Sequence, residues 1–153
     1  MRIEKKLEEM GVTLPEIPTN VDWPVIPGVQ VGNLLFLTGV YPQTGSGTPW
    51  KGKVGRDYST EEAYVAARWC AIALLAEAKY VLGDLDRVKR VVRILGMVNS
   101  TDDFEEAPQV MNGCSDFLVE VFGEMGKHAR SAVCMASLTV QSPVEADAVF
   151  EVE

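Results

Sequence analysis

The sequence predicts an α+β protein in which two long helices cover one face of a mixed β-sheet. Residues 59–81 and 108–122 carry apolar side chains at helical spacing, and shorter segments around them have the alternating or β-branched pattern of strands. The predicted order is strand, strand, an optional short strand, helix, strand, helix, strand, strand. The chain has 153 residues, which suits one domain with a single core.

The N-terminal segment is predicted to be a short helix followed by an extended arm. Residues 2–10 favour a helix, and Gly11 can end it. Four of the prolines fall between residues 12 and 27, so this arm should lie extended on the surface. A solvated cap is the favoured interpretation of the helix, and an oligomer contact is the alternative. Residues 1–153 thus form one domain, with this extra helix and proline-rich arm at about residues 1–24.

A β-hairpin is predicted next, with strands at residues 28–31 and 34–40 joined at Gly32 and Asn33. The run Leu34 to Leu37 is apolar on both faces, which indicates a sheet covered on both sides. The glycine-rich stretch from residue 45 to 55 lacks the lysine of a phosphate-binding loop and is predicted to be a surface loop, with a short strand as an alternative.

Two amphipathic helices account for the helical layer. The first has a capping box, with Ser59 as N-cap and Glu62 three residues later, and should end at Gly83. Its small residues favour close packing on the sheet. The second should begin near Pro108, and Gly123 should end it. His128 follows and is predicted to be an exposed loop residue. Their apolar stripes comprise Ala63, Ala67, Cys70, Ala71, Leu74, Ala78 and Val81, and Val110, Met111, Cys114, Phe117, Leu118, Val121 and Phe122.

A long strand is predicted between the helices, from residue 87 to 98. Strict alternation places Val88, Val92, Ile94 and Val98 on one face. Arg90 falls among these apolar residues, and we expect it at an edge with its charged end in solvent.

The last 24 residues are interpreted as two strands that flank a polar break at residues 139–143. The second strand alternates, with apolar side chains from Val144 to Val152 on one face and mostly acidic ones on the other. If the two strands form a hairpin centred near Gln141, Arg130 lies about 23 Å from Glu145 within one chain. A small ligand would then touch both only across a subunit boundary.

Composition excludes several classes of function. The net charge is −8, so the basic face of a nucleic-acid-binding protein is not expected. Three widely spaced cysteines and one histidine do not match the ligand patterns of zinc sites, so no metal is predicted. The cysteines are interpreted as core residues in a reducing compartment, and the charged N-terminus is not that of a signal peptide, so a cytoplasmic location without membrane attachment is expected.

The sheet should carry apolar residues on the face that the helices leave open. The apolar residues expected on this open face come from the run Leu34 to Leu37 and from Val91, Leu95 and Met97. A large uncovered apolar face requires a partner, and the simplest one is another copy of the chain in a closed ring.

At four segments the sequence resembles the reactive intermediate deaminase family, also called Rid or YjgF-like and formerly L-PSP endoribonuclease. The segments are residues 31–39 (VGNLLFLTG), 98–104 (VNSTDDF), 129–133 (ARSAV) and 144–148 (VEADA). The resemblance covers about residues 25–153 and leaves the N-terminal helix outside. It implies a chorismate-mutase-like α+β fold of the bacillus type, and a homotrimer whose sheets form a central barrel with sites between subunits.

The resemblance also implies an activity and a site. Family members hydrolyse enamines and imines, such as 2-aminoacrylate and 2-iminobutyrate, to 2-keto acids and ammonia, and they need no cofactor. Arg130 corresponds to the carboxylate-binding arginine, Glu145 to the glutamate that positions water, and Thr38 and Gly39 to a backbone ligand-binding element. The family's site cysteine is Ala132 here, and its usual tyrosine falls on Val25.

The residues themselves give these roles modest independent support. A guanidinium matches a carboxylate in bidentate geometry, and a carboxylate can accept and return protons. The alternatives are a surface charge for Arg130 and a solvated strand charge for Glu145. Two classes of function stay open: a deaminase, and a non-catalytic trimer that binds small carboxylates in a regulatory or chaperone-like role. Ribonuclease activity is a distant third.

Overall fold

The computed structural model describes residues 1–18 and 22–153, so part of the predicted proline-rich arm, residues 19–21, lies outside the described residues. The helices and strands, in chain order, are α1 (Arg2–Glu9), β1 (Gly28–Val31), β2 (Leu34–Val40), α2 (Pro42–Ser46), α3 (Thr60–Leu82), β3 (Val88–Asn99), α4 (Ala107–Phe122), β4 (Ala129–Met135) and β5 (Val144–Val152).

One five-stranded mixed sheet has the order β1-β2-β5-β3-β4. β1 and β2 form the predicted hairpin, and Gly32 takes the positive φ of 60° that the tight turn requires. β5 pairs antiparallel with both β2 and β3. β3 and β4 are parallel and are joined through α4, as a strand–helix–strand unit requires.

The predicted C-terminal hairpin is wrong, because β3 lies between β4 and β5. The connection from Ala136 to Pro143 is too long for a tight turn and crosses the end of β3 instead. Lys53 secures this crossing: its ammonium donates to Asn99 Oδ1 at 2.8 Å and to the carbonyl of Ala136. The separation of about 23 Å between Arg130 and Glu145 was inferred from that hairpin, so it is wrong as well.

Both long helices follow the predicted limits. Ser59 and Glu62 form a reciprocal capping box at the start of α3, and Gly83 ends the helix with a φ of 78°. α3 packs on both the sheet and α4, which is why thirteen of its residues are buried rather than a single stripe. In α4 the apolar stripe is buried from Val110 to Val121.

The structure corrects two local predictions. Pro42 starts a short helix where a loop was expected, because its fixed φ suits a first helical position and Gly47 ends the turn. Two bulges in β3, between Val88 and Arg90 and between Val91 and Arg93, interrupt the alternation, so Val91 is buried instead of Val92. Arg90 is exposed, as expected.

Two further corrections concern burial. α1 is not a solvated cap, since Ile3 and Leu7 are only 4% and 2% exposed in the main core cluster. Asp86 accepts hydrogen bonds from the backbone amides of Arg2 and Ile3, which caps the helix. Cys70 and Cys114 are buried as predicted, but Cys134 is exposed.

The helices cover one face of the sheet, and the other face is open in the single chain. Several apolar side chains on this open face or at its edge are exposed: Val29, Val31, Phe36, Val133 and Met135. None of the helices in the described part of the chain combines the length and the hydropathy that a membrane span requires.

Candidate functional site

The predicted site residues occupy two clusters on opposite faces of the sheet. Arg130 pairs in register with Ile94, and Ile94 with Ala148, both of which are buried beneath the helices. Glu145 pairs instead with Met97, whose side chain faces the open side. Because residues directly opposite each other in a sheet share a face, Arg130 points to the helices and Glu145 points away from them.

Arg130 is the centre of the first group, which we call the arginine cluster and define as Asn112, Ser115, His128 and Arg130. Its guanidinium Nη1 donates to Asn112 Oδ1 at 2.8 Å and to Ser115 Oγ at 3.1 Å. Asn112 and Ser115 are three residues apart on α4 and therefore lie on one helix face. Among the described residues, no carboxylate forms an ion pair with Arg130.

His128 extends the arginine cluster and corrects a prediction, because it is half-buried rather than exposed. Its Nε2 lies 2.9 Å from Ser115 Oγ and its Nδ1 lies 2.7 Å from the carbonyl oxygen of Gly126. Burial lowers the pKa of His128, and the charge of Arg130 lowers it further against the opposing effect of the Gly126 carbonyl. The lowered pKa favours the neutral imidazole at pH 7.

Ala132 lies two residues along β4 from Arg130 and pairs in register with Gly96. Gly96 is needed there because a Cβ atom would lie 2.6 Å from Met111 Cγ. Ala132 packs against the core as a half-buried side chain and offers no polar group to a ligand. The neighbouring thiol of Cys114 is fully buried, which raises its pKa to about 12 and makes it inert.

The second group is the glutamate cluster, which we define as Thr38, Gly39, Tyr41 and Glu145. A Cβ atom on Gly39 would lie 3.2 Å from Glu145 Oε2, so the carboxylate rests directly over the glycine backbone. The pairing of β2 with β5 shifts register between Leu37 and Val40, so Thr38 and Gly39 lie at a bulge in β2. The backbone amide of Thr38 donates to the Pro27 carbonyl at 3.0 Å, and its hydroxyl donates to the Ile26 carbonyl.

Tyr41 is a member of the glutamate cluster that the sequence did not predict. Burial raises the pKa of its phenol, and contact with the Glu145 carboxylate raises it further. Thr139, which lies in the connection that crosses the end of β3, also interacts with the phenol. The next residue, Val140, has a φ of 53° although it is β-branched, which marks local backbone strain beside the cluster. Val25, at the position of the family's tyrosine, is 56% exposed.

The two clusters cannot act on one small molecule within a single chain. Val133 lies three positions after Arg130 on β4. It pairs with Met97 of β3, which in turn pairs with Glu145 of β5. Three residues along a strand and two strand spacings place the Cα atoms of Arg130 and Glu145 about 14 Å apart. Their side chains then point to opposite faces, which separates the functional groups further.

Comparison with known proteins identifies the family. Residues 4–145 match the family model described as "YjgF/chorismate_mutase-like, putative endoribonuclease". This chain belongs to the YjgF-like family. The family assignment drawn from the sequence is therefore confirmed, and so is the chorismate-mutase-like fold.

Two relatives are similar to this YjgF-like chain over nearly its full length. Protein TCP17 of Trypanosoma cruzi is 39% identical over 98% of this chain and 94% of its own. The crystal structure of the protein Atu1372 of unknown function, from Agrobacterium tumefaciens, is 41% identical with a TM-score of 0.89, covering 99% of this chain and 93% of its own.

A more distant structure shares the fold alone. It is E. coli TdcF with bound serine, which is 17% identical with a TM-score of 0.59 and covers 92% of this chain and 94% of its own. Most of the N-terminal helix that the four-segment resemblance left out lies within the family match, which begins at Glu4.

Proposed function

We propose that this protein is a deaminase that hydrolyses small enamine or imine acids to 2-keto acids and ammonia. The observation that carries the proposal is the Arg130 guanidinium, which is fixed on α4 by two neutral acceptors and has no carboxylate partner among the described residues. A positioned guanidinium without a counter-ion is suited to bind a carboxylate ligand in bidentate geometry. The serine bound by the distant relative TdcF is a ligand with such a carboxylate.

The reaction needs little more than position, water and proton transfer. A protonated imine is electrophilic at C2, so water can add there once the acid is held. Glu145 accepts a proton from the attacking water and returns it to the amine nitrogen. The C2–N bond of the resulting carbinolamine then breaks while Glu145 takes the proton of the new hydroxyl group, which leaves the 2-keto acid and ammonia. No step of this reaction changes an oxidation state or requires a cofactor.

The proposed active site lies between subunits of a homotrimer. Arg130 and Glu145 point to opposite faces of one sheet, so a cleft that contains both must combine two chains. The exposed apolar residues Val29, Phe36 and Val133 lie on or beside the open face and favour its burial against other copies. We further propose a cytoplasmic location, since the chain has three free cysteines among its described residues.

The second candidate is a trimer that binds small carboxylates without turning them over. Ala132 favours it, because an alanine at the position of the family's site cysteine removes a polar group from the cleft wall. Both candidates require the arginine cluster, but only the deaminase requires Glu145.

Arg130→Ala should abolish binding of 2-ketobutyrate, the stable product of 2-iminobutyrate hydrolysis, while folding and assembly persist. Loss of a bidentate charged contact should cost about 2–5 kcal/mol of binding free energy. Isothermal titration calorimetry measures this, with Arg90→Ala as the control, since Arg90 is an exposed arginine on β3. Equal affinity of the wild type and Arg130→Ala would remove Arg130 from the site. Turnover of freshly generated 2-iminobutyrate by the wild type distinguishes the deaminase from the binder.

A further inference from the structure

Ser115 and His128 form a hydrogen-bonded pair against Arg130 that none of the predicted roles uses. Ser115 Oγ lies 2.9 Å from His128 Nε2 and 3.1 Å from Arg130 Nη1. The serine hydroxyl therefore connects the histidine ring to the guanidinium. All three side chains are half-buried, so they are partly shielded from competing water.

The positions of the hydrogens follow from the chemistry of the partners. The Gly126 carbonyl can only accept, so His128 Nδ1, 2.7 Å away, carries a hydrogen. In a neutral imidazole the other nitrogen, Nε2, then has a lone pair and accepts. Ser115 must donate its single hydroxyl hydrogen to Nε2, which leaves the lone pairs of Oγ to face Arg130.

This arrangement determines which edge of Arg130 is available. Nη1 carries two hydrogens, and both are engaged, one by Asn112 Oδ1 and one by Ser115 Oγ. A guanidinium offers a carboxylate two bidentate edges, Nη1–Nη2 at its end and Nε–Nη2 at its side. With Nη1 occupied, only the Nε–Nη2 edge can form two parallel hydrogen bonds.

We propose that Ser115 and His128 are positioning residues that hold Arg130 so that it binds the substrate carboxylate through its Nε–Nη2 edge. His128 fixes the direction of the Ser115 hydroxyl, and Ser115 in turn fixes the guanidinium. The statement about the substrate rests on the proposed function, whereas the hydrogen-bonded chain itself does not.

The alternative arrangement would weaken the contact. If His128 carried its hydrogen on Nε2, it would donate to Ser115 Oγ and lose its bond to Gly126. The serine hydroxyl hydrogen would then be free to point toward the guanidinium, where only donors are present. Arg130 would keep a single firm contact, to Asn112, and its planar group could rotate.

The state of His128 can be observed directly because the chain contains only one histidine. In protein labelled with ¹⁵N-histidine, NMR should show at pH 7.5 a protonated Nδ1 and an unprotonated, hydrogen-bonded Nε2. Ser115→Ala should shift the Nε2 resonance. Ser131→Ala should not, because Ser131 follows Arg130 on β4 and its side chain faces the open side of the sheet. A protonated Nε2, or an Nε2 resonance unchanged in Ser115→Ala, would overturn the hydrogen-bonded chain.

Binding of 2-ketobutyrate tests the role of the pair. Ser115→Ala and His128→Ala should each weaken binding about tenfold, which is the effect of one hydrogen bond near a charged group. His128→Gln should restore most of the affinity, because its amide oxygen can accept from Ser115 in place of Nε2. A purely structural role of the ring would not predict this rescue. The Arg130 Nε–H resonance, assigned by its absence in Arg130→Lys, should move on titration with the keto acid.

The outcomes separate this proposal from the proposed function. If Arg130→Ala loses binding while Ser115→Ala and His128→Ala match the wild type, the positioning role is wrong and the carboxylate site stands. If the Arg130 Nε–H resonance does not respond to bound keto acid, the side-on edge is wrong. If the wild type does not bind the keto acid at all, the proposed function is wrong, and so is the proposed contact of the substrate with Arg130. The histidine resonances then still test whether the hydrogen-bonded chain of His128, Ser115 and Arg130 exists.

Discussion

At the scale of single residues, Glu77 is a carboxylic acid in the interior of α3. It is 7% exposed, and its Oε2 has no hydrogen-bond partner among the described residues. Burial raises its pKa from 4.5 to about 8, because an ionised carboxylate without a partner is poorly solvated there. Glu77 is therefore mostly protonated in the folded protein at pH 7, while it is ionised in the unfolded chain.

Glu77→Gln should stabilise the protein at neutral pH. The folded state holds a proton that the unfolded state releases, so the free energy of unfolding falls as pH rises from about 4.5 to about 8. The glutamine variant lacks this loss and should be about 2–4 kcal/mol more stable at pH 7, with little gain at pH 4. Urea unfolding of both proteins at pH 4 and pH 7 measures this difference in the free energy of unfolding. An equal change at pH 4 and pH 7, or the same change in the exposed control Glu8→Gln, would contradict a buried neutral acid.

The candidate site residues were only partly predictable from the sequence. Arg130 and Glu145 stood out through the family resemblance, but Ser115, His128 and Tyr41 did not. The i, i+3 spacing of Asn112 and Ser115 beside the apolar stripe of α4 was an available signal for a polar helix face. Nothing local indicated that His128 folds back onto Ser115, because that contact depends on the turn between α4 and β4.

At the scale of elements, α1 is an integral part of the core rather than an appendage. Its burial against the region around Leu85 depends on Asp86, which accepts from three nitrogens at the helix start, including the N-terminal ammonium. These contacts lower the pKa of Asp86, with the ammonium as the largest cause. The neighbouring carboxylate of Glu4 accepts from the Leu85 amide at 3.0 Å.

Leu7→Ala should destabilise the protein by about 2–5 kcal/mol, the usual cost of removing a buried leucine side chain. Leu7 is 2% exposed in the main core cluster, whereas Lys5 on the same helix is exposed, so Lys5→Ala serves as the control. Thermal unfolding of both variants gives the comparison. If Leu7→Ala were as stable as Lys5→Ala, α1 would be the solvated cap that the sequence first suggested.

The strands show which element-level predictions a sequence supports. Period and capping residues located the two long helices and all five strands of the sheet, because those signals are local. The pairing of β4 was predicted wrongly, since adjacency in sequence favoured a hairpin. The helix between β3 and β4 already indicated a parallel pair, and the eight-residue connection to β5 argued against a tight turn. No feature of the sequence indicated the two bulges in β3.

At the scale of the whole molecule, we propose one explanation for the open face of the sheet and for the division of the site. A trimer buries the open face and can bring the arginine cluster of one chain to the glutamate cluster of the next. The sequence predicted the shared site from a hairpin that does not exist. The proposal of a shared site now rests on the sheet register, which places Arg130 and Glu145 on opposite faces.

Light scattering should give the mass of a trimer of the 16.8 kDa chain. The exposed apolar side chains on the open face supply the driving force, so Phe36→Glu should dissociate it, because the change puts a charge into the buried face. Val65→Glu is the matched control, because Val65 lies on α3, on the other side of the sheet, and is as exposed as Phe36, at 45%. A stable, folded wild-type monomer would contradict both the assembly and the shared site.

The most direct test of a site shared between subunits is complementation of two inactive variants. Arg130→Ala and Glu145→Ala are unfolded and refolded together, each with a distinct mass tag so that mixed trimers can be verified. Random mixing gives about a quarter of the clefts both wild-type residues, so about a quarter of the wild-type deaminase activity should return. The control mixes Arg130→Ala with the double variant, which can form no complete cleft. Verified mixed trimers without recovered activity, alongside an active refolded wild type, would contradict the account.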